Sequence, residues 1–288
     1  MDERKSTDAD DRWAVGMVLV RSSRELQAEP YSQELIAGLD EAVGAAGGTL
    51  LVKIVPDEAS EHATYRQWAR DGRIGSVVIE EFTVSDTRRA LLEGLGLEAT
   101  ILGDAALAGD RPVIWNDHAR AMELAMTALH DLGHRVISRV SGPRHFHHSI
   151  ARSEAFFDIG ASRGIEVTEA VGDYSSRSGA AAIGVLMDTS RPPTAIIFDN
   201  DLMALGGLAE LEARGLRIPQ DISLVAWDDS VRCQMSIPSL AALSHDVREI
   251  GESAGEAASR ARSGDIVREE SPLPIFVRRD SVAPVVAG

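Results

Sequence analysis

The chain has 288 residues, 44% hydrophobic and 26% charged, which is enough to bury a sizeable core and to form two compact units. Its formal net charge of -16 sets it against phosphate backbones and anionic membranes, and no basic run exceeds two residues. The single cysteine, Cys233, excludes an internal disulfide; with no bilayer-length apolar stretch and no signal peptide, the sequence reads as a cytoplasmic chain.

Met1–Arg12, MDERKSTDADDR, is almost free of apolar residues and is expected to be a disordered tail. Val15–Val20 reads as a first strand and Arg21–Pro30 as a loop, after which Leu35, Leu39 and Val43 share one helical face. Leu50–Val55 is a second strand, followed by a helix near Glu61–Arg70, a strand at Ile74–Ile79 and a helix at Thr87–Leu95. Thr100–Leu102 is a short strand, Ala105–Arg111 a turn and Val113–Trp115 another strand. Asp117–Leu132 is a long amphipathic helix stopped by Gly133. At Val136–Val140 the alternation starts afresh, with an SGP turn, a helix near Ser149–Ser162, a strand at Glu166–Val171 and a helix at Gly179–Met187. Ser239–Ser244, a helix at Val247–Arg262 and a strand near Ile275–Arg278 close the chain. Two consecutive α/β runs of similar size predict an α/β protein of two doubly wound parallel-sheet subdomains with a ligand cleft between them.

The stretch Pro192–Ser230 holds the clearest βαβ unit. Ala195–Phe198 and Ile222–Trp227 are too short for helices and read as buried strands. Between them Leu202, Leu205, Leu208 and Leu211 recur at helical spacing, with Asn200 or Asp201 to cap the start and Gly215 to take a left-handed conformation past the end. Asp199-Asn200-Asp201 follows the first strand and Asp228-Asp229 the second. Ligands of open α/β sheets sit outside the carboxyl ends of the strands, so both polar clusters face one crevice.

Catalytic and cofactor signatures are missing: there is no Walker A loop, no GxGxxG after a strand, no HExxH, no CxxC and no GxSxG. No cofactor and no metal are expected. His145-Phe146-His147-His148 raises a metal hypothesis, but no matching Cys or carboxylate spacing accompanies it, and a polar loop lining the crevice is the plainer reading. His134, just past Gly133, reads as a capping or turn residue, and Tyr65 with Trp68 as packing. Asp228 and Asp229 point to opposite sides of a strand end, so one is expected to face ligand and the other to hold the loop.

These residues carry a resemblance. PTAIIFDNDLMALGGLAELEARGLRIPQDISLVAWDDS, NDHARAMELAMTALHDLGHRVI, the SGP turn with Arg152 nine residues beyond Pro143, and PSLAALSHDVREIGESAGEA occur in the order and spacing of the lactose/galactose-repressor (LacI/GalR) family of bacterial transcription regulators. The sequence resembles the effector-binding core of that family from Trp13 to Pro284. The resemblance implies a fold like periplasmic sugar-binding proteins, with the chain passing three times between subdomains. These would comprise 13–133 with 246–270, and 134–245 with 271–288. It implies a carbohydrate-like effector, a homodimer, and DNA contact only through a helix-turn-helix unit. The dimer surface would include the Glu61–Arg70 and Thr87–Leu95 helices and part of the second subdomain.

Residue by residue, the resemblance places Arg152 against ligand hydroxyls or a carboxylate, where a guanidinium fork offers paired donors. Asn200 and Asp228 match polar pocket positions, as does Asp117 at the start of the crossover helix. Tyr174 matches an aromatic that packs on the ligand ring. The chain departs from the family at Tyr31 in the opening loop, at His148 in place of a small hydroxyl residue, at His245 in place of Gln, at His118 in place of Asn, and at Trp227 in place of a smaller aromatic. Extra imidazoles and a Trp suggest a ligand bulkier or more anionic than a plain hexose. Only Met1–Arg12 precedes the first strand where the family carries its DNA reader, so this chain alone is not expected to bind operator DNA. A stand-alone sugar-binding protein, or an enzyme using Asp117, Asp228 and a histidine, are the competing readings; the second lacks nucleophile–base spacing and a phosphate loop.

Overall fold

The computed structural model describes residues 13–20 and 30–285; the expected tail Met1–Arg12 and nearly all of the expected loop Arg21–Pro30 lie outside the described residues. In chain order the structure runs β1 (Ala14–Val20), α1 (Pro30–Ala45), β2 (Thr49–Val55), α2 (Glu58–Asp71), β3 (Ile74–Ile79), α3 (Arg88–Leu95), β4 (Glu98–Leu102) and β5 (Val113–Trp115). It continues with α4 (His118–Asp131), β6 (Val136–Ser141), α5 (His147–Arg163), β7 (Glu166–Val171), α6 (Ser176–Met187), β8 (Ala195–Phe198), α7 (Asp201–Ala213), β9 (Ser223–Ala226), α8 (Val231–Met235) and β10 (Ala241–Ser244). α9 (Val247–Ala261), β11 (Arg268–Glu270) and β12 (Ile275–Val277) complete it.

Two compact units result. The first takes residues up to 80, 85–115 and 247–271, and the second takes 81–84, 116–246 and the residues from 272 on. The first sheet has the order β2-β1-β3-β4-β5-β11 and the second β7-β6-β8-β9-β10-β12. Every pairing is parallel except β10 with β12. Parallel strands need helical crossovers on both faces, which explains why AIIF of β8 and SLVA of β9 are buried at every position.

In the first unit Val15, Met17 and Leu19 of β1 pack with Leu35, Leu39 and Val43 of α1 and with Ile250 and Ala254 of α9. Helices α1 and α9 approach so closely that a Cβ on Gly38 would lie 2.0 Å from the Arg248 carbonyl oxygen. The second unit has a core on each side of its sheet. Ile196 and Phe198 of β8 meet Ala204, Leu208 and Leu211 of α7, whereas Ala195 and Ile197 meet Met122, Met126 and Leu129 of α4 and Phe156 of α5.

Three features correct the sequence reading. Helix α4, expected with the first subdomain, belongs to the second unit because its apolar stripe joins that unit's core. Residues 81–84 also belong there: Val84 N–H donates to the His145 carbonyl, and Thr83 bridges Phe146. Strand β11, with the exposed sequence REE, had no apolar signature to announce it. Other expectations agree with the structure. Gly133 and Gly215 have φ of 91° and 79°, and Tyr65 and Trp68 are buried edge to face at 6.0 Å. Among the described residues no helix is long and apolar enough to cross a membrane.

Candidate functional site

Because the second sheet is parallel through β6, β8, β9 and β10, its strand ends and the starts of the following helices bring distant residues together. Asp199 and Asn200 follow β8, Trp227 and Asp228 follow β9, and His245 follows β10. His118 opens α4, and His148 and Arg152 lie on the first turns of α5.

Arg152 is at the centre of this group. Its guanidinium lies 4.1 Å from the centroid of the buried Trp227 ring, a cation–π geometry. Its Nε donates to His118 Nδ1 and its Nη1 to the Asp199 carbonyl, both at 3.4 Å, and Nη1 stands 3.8 Å from Asp199 Oδ2. The His118 ring is 6.1 Å from His148 and 6.4 Å from Trp227, and His245 is 6.2 Å from Trp227. His148 stacks on Phe146 at 5.2 Å, and its Nε2 shares a 2.7 Å hydrogen bond with the Tyr174 hydroxyl. Burial, followed by the nearby Arg152 charge, brings His148 and His245 down to about 4 and holds His118 well below the usual histidine value. At neutral pH all three imidazoles are uncharged.

Beneath this group lies a buried ionic network. Arg139, in the middle of β6, donates to both oxygens of Asp199 at 2.7 and 2.5 Å, to Glu169 Oε2 at 2.6 Å and to Ser153 Oγ at 2.7 Å. Burial pushes the Asp199 carboxyl up, but Arg139 and Arg152 outweigh it and hold the group below the usual carboxylate range. The Gly142 N–H adds a third donor to Asp199 at 3.1 Å.

Tyr174 has a φ of 67°, a left-handed conformation rarely adopted by aromatic residues. Asn200 holds it there. The Asn200 Nδ2 donates to the Tyr174 carbonyl at 3.0 Å, while its Oδ1 accepts from Met203 N–H at 2.9 Å and caps α7. The Tyr174 ring fills the space above Gly142, where a Cβ would stand 2.0 Å from its hydroxyl.

The residues singled out from the sequence therefore separate into groups. His148, Arg152, Tyr174, Trp227 and His245 share the array, and half-buried Asp228 directly follows Trp227. Asp117 caps α4 through the Arg120 N–H at 2.9 Å, and Asn200 caps α7 while donating to the Tyr174 carbonyl. Tyr31 lies in the first unit, partly buried against that unit's core. Asp229 is the carboxylate that holds the loop, paired with Arg279 at 2.7 and 2.8 Å. His134 is a buried core histidine bonded to Thr194 and the Ala283 carbonyl, rather than a turn residue. Sequence reasoning missed Arg139, a charge in the middle of a strand, and Phe146, hidden in a histidine-rich run.

Chemically, the array offers a guanidinium, uncharged imidazoles, a phenol and flat aromatic faces, which suit hydrogen bonding and ring packing. The thiol of Cys233 is buried and pushed up to about 12, chiefly by that burial, so it is not an activated nucleophile. Among the described residues no group of three or more metal-binding side chains comes together.

Comparison with known proteins agrees with this architecture. The periplasmic binding protein-like domain family matches residues 126–282. A LacI family transcriptional regulator from Bifidobacterium animalis subsp. lactis is 30% identical with a TM-score of 0.88, covering 95% of this chain and 98% of that one. A LacI family regulator from Enterococcus faecium, solved with bound ribose, shares the fold at 21% identity and a TM-score of 0.80, covering 95% of this chain and 100% of that one. The HTH-type transcriptional regulator AglR of Rhizobium meliloti is 28% identical over 223 residues, which is 75% of this chain but 62% of AglR. Sequence, fold and strand-end geometry together assign the chain to the LacI family of transcriptional regulators.

Proposed function

We propose that this chain is the effector-sensing core of a transcription regulator, and that its second unit binds a small carbohydrate-like effector at the strand-end array. The observation that carries this reading is Arg152, nearly buried on Trp227 yet held, among the described residues, by bonds of 3.4 Å. In it Arg152 pairs two effector oxygens, Asp228 accepts from hydroxyls, and Trp227 and Tyr174 face the C–H side of a sugar ring. His148 and His245 act as neutral hydrogen-bond partners, and Asp117 and Asn200 keep the frame rigid. The ribose bound to the Enterococcus faecium regulator supports a sugar-like ligand.

Effector binding changes the operator affinity of the regulator's helix-turn-helix reader to the extent that the effector prefers one conformation of the core. We also propose a homodimer. Val231, Met235 and Ile237 are 65, 77 and 89% exposed within one short stretch, an apolar surface suited to a second copy. Light scattering should show a dimer that Ile237→Asp weakens.

A thermal-shift screen against sugars, sugar phosphates, polyols, purines and amino acids tests the sensor reading. A ligand at a hundred times its Kd adds about 2.7 kcal/mol, readily seen as a shift. Stabilisation by a sugar that Arg152→Ala or Asp228→Ala abolishes supports the reading; stabilisation that survives both substitutions contradicts it.

A further inference from the structure

We infer that the effector of this chain is acidic, and that Arg152 and His245, both against Trp227, seat its carboxylate or phosphate oxygens. The inference rests on the reading of the array as the effector site, and it is carried by how unequally the buried polar groups there are satisfied.

Arg139 makes hydrogen bonds of 2.5 to 2.7 Å to two carboxylates and a hydroxyl. Arg152 has a side chain 12% exposed, yet its nearest acceptors among the described residues, His118 Nδ1 and the Asp199 carbonyl, are at 3.4 Å, beyond the usual hydrogen-bond range. A desolvated guanidinium with stretched bonds gains most from an acceptor that is itself charged and presents two oxygens to its fork. His245 supplies a second unsatisfied group: its Nε2 is buried and has no hydrogen-bond partner among the described residues. Each of the two contacts Trp227, with the guanidinium 4.1 Å and the imidazole 6.2 Å from the ring centroid. Both groups therefore border the same indole.

Two of the carboxylates around them are already paired. On the β8 side Asp199 faces Arg152, but its carboxylate is already bound bidentate by Arg139 of β6. Glu169 of β7 is held by Arg139 and Arg144. Glu81, from the segment 81–84, faces His148, and Arg152 of α5 faces His118 of α4, His148 and His245. Asp228 directly follows Trp227 in the chain.

Calorimetric titration of the intact chain with glucose, glucuronate and glucose 6-phosphate, and with ribose and ribose 5-phosphate, tests this. The expected result is an acidic member bound at least tenfold more tightly than its neutral parent, the carboxylate and phosphate arms showing which source fits. That preference should fall below threefold in His245→Phe and disappear in Arg152→Gln. A neutral parent bound as tightly as its acidic partner overturns the inference and leaves the sensor reading intact. No binding by any member, acidic or neutral, overturns both.

Discussion

Arg139 and Arg152 both reach the carboxylate of Asp199, yet they do different work. Arg139 is fully enclosed and bonded to Asp199, Glu169 and Ser153, whereas Arg152 rests on an indole with bonds of 3.4 Å and a carboxylate oxygen at 3.8 Å. The first unit offers a third case: buried Arg88 bonds Asp86 at 3.0 Å, the Glu80 carbonyl at 2.8 Å and Glu61 at 3.3 Å, and Tyr65 donates to Glu61 at 2.8 Å. A saturated buried arginine holds a fold together. A buried arginine with bonds left to make is positioned for something that arrives later.

The largest effect is expected where saturation is broken. Arg139→Met leaves Asp199 and Glu169 buried without their main partner and should lower unfolding free energy by about 3–5 kcal/mol. Urea denaturation measures this, and a loss below about 1 kcal/mol would show that the network is not structural. Acid comes next. Folded His148 and His245 titrate at about 4 and the unfolded residues near 6.5, so between those values the unfolded chain binds more protons. The stability present above pH 6.5 is therefore lost as pH falls toward 4, by roughly 3 kcal/mol for each histidine. His148→Gln and His245→Gln should each flatten that slope, and an unchanged slope would place the acid sensitivity elsewhere.

Smaller effects test the frame of the array. Gly142→Ala drives a methyl into the Tyr174 hydroxyl and should cost about 1–3 kcal/mol while releasing His148. Asn200→Ala removes the α7 cap and the donor to the Tyr174 carbonyl, for about 1–2 kcal/mol in chemical denaturation. Arg152→Met should be the mildest for stability, within about 1 kcal/mol, because it gives up a cation–π contact and long bonds while keeping an apolar side chain on Trp227.

Much of this molecule is legible in its sequence for a physical reason. Continuous apolar runs such as AIIF specify strands buried on both faces, and Asn200 and Gly215 mark the limits of α7 by cap chemistry. Parallel strand order then puts Asp199 and Asn200, after β8, and Asp228, after β9, at one edge, whereas Arg152, Tyr174 and Trp227 are grouped with them only through the family resemblance. Arg139 escaped because a charged residue inside VISRVS looks like a solvent-facing position, and its partners Asp199 and Glu169 lie 60 and 30 residues further along. Asn200 and Asp117 look like ligand groups in sequence because the same side chains that bind hydroxyls also cap helices. The local hydrogen bonds show the capping use of both. Strand β11 escaped because three exposed charged residues form a strand only when β5 presents its edge.

The central claim is that Arg152 is reserved for an effector. The most direct measurement compares calorimetric binding of the tightest ligand from the effector screen to the wild-type chain and to Arg152→Met. The account predicts at least a hundredfold loss of affinity, with urea stability changed by less than about 1 kcal/mol. Unchanged affinity, or a loss of stability as large as that of Arg139→Met, would contradict it and make Arg152 one more structural arginine.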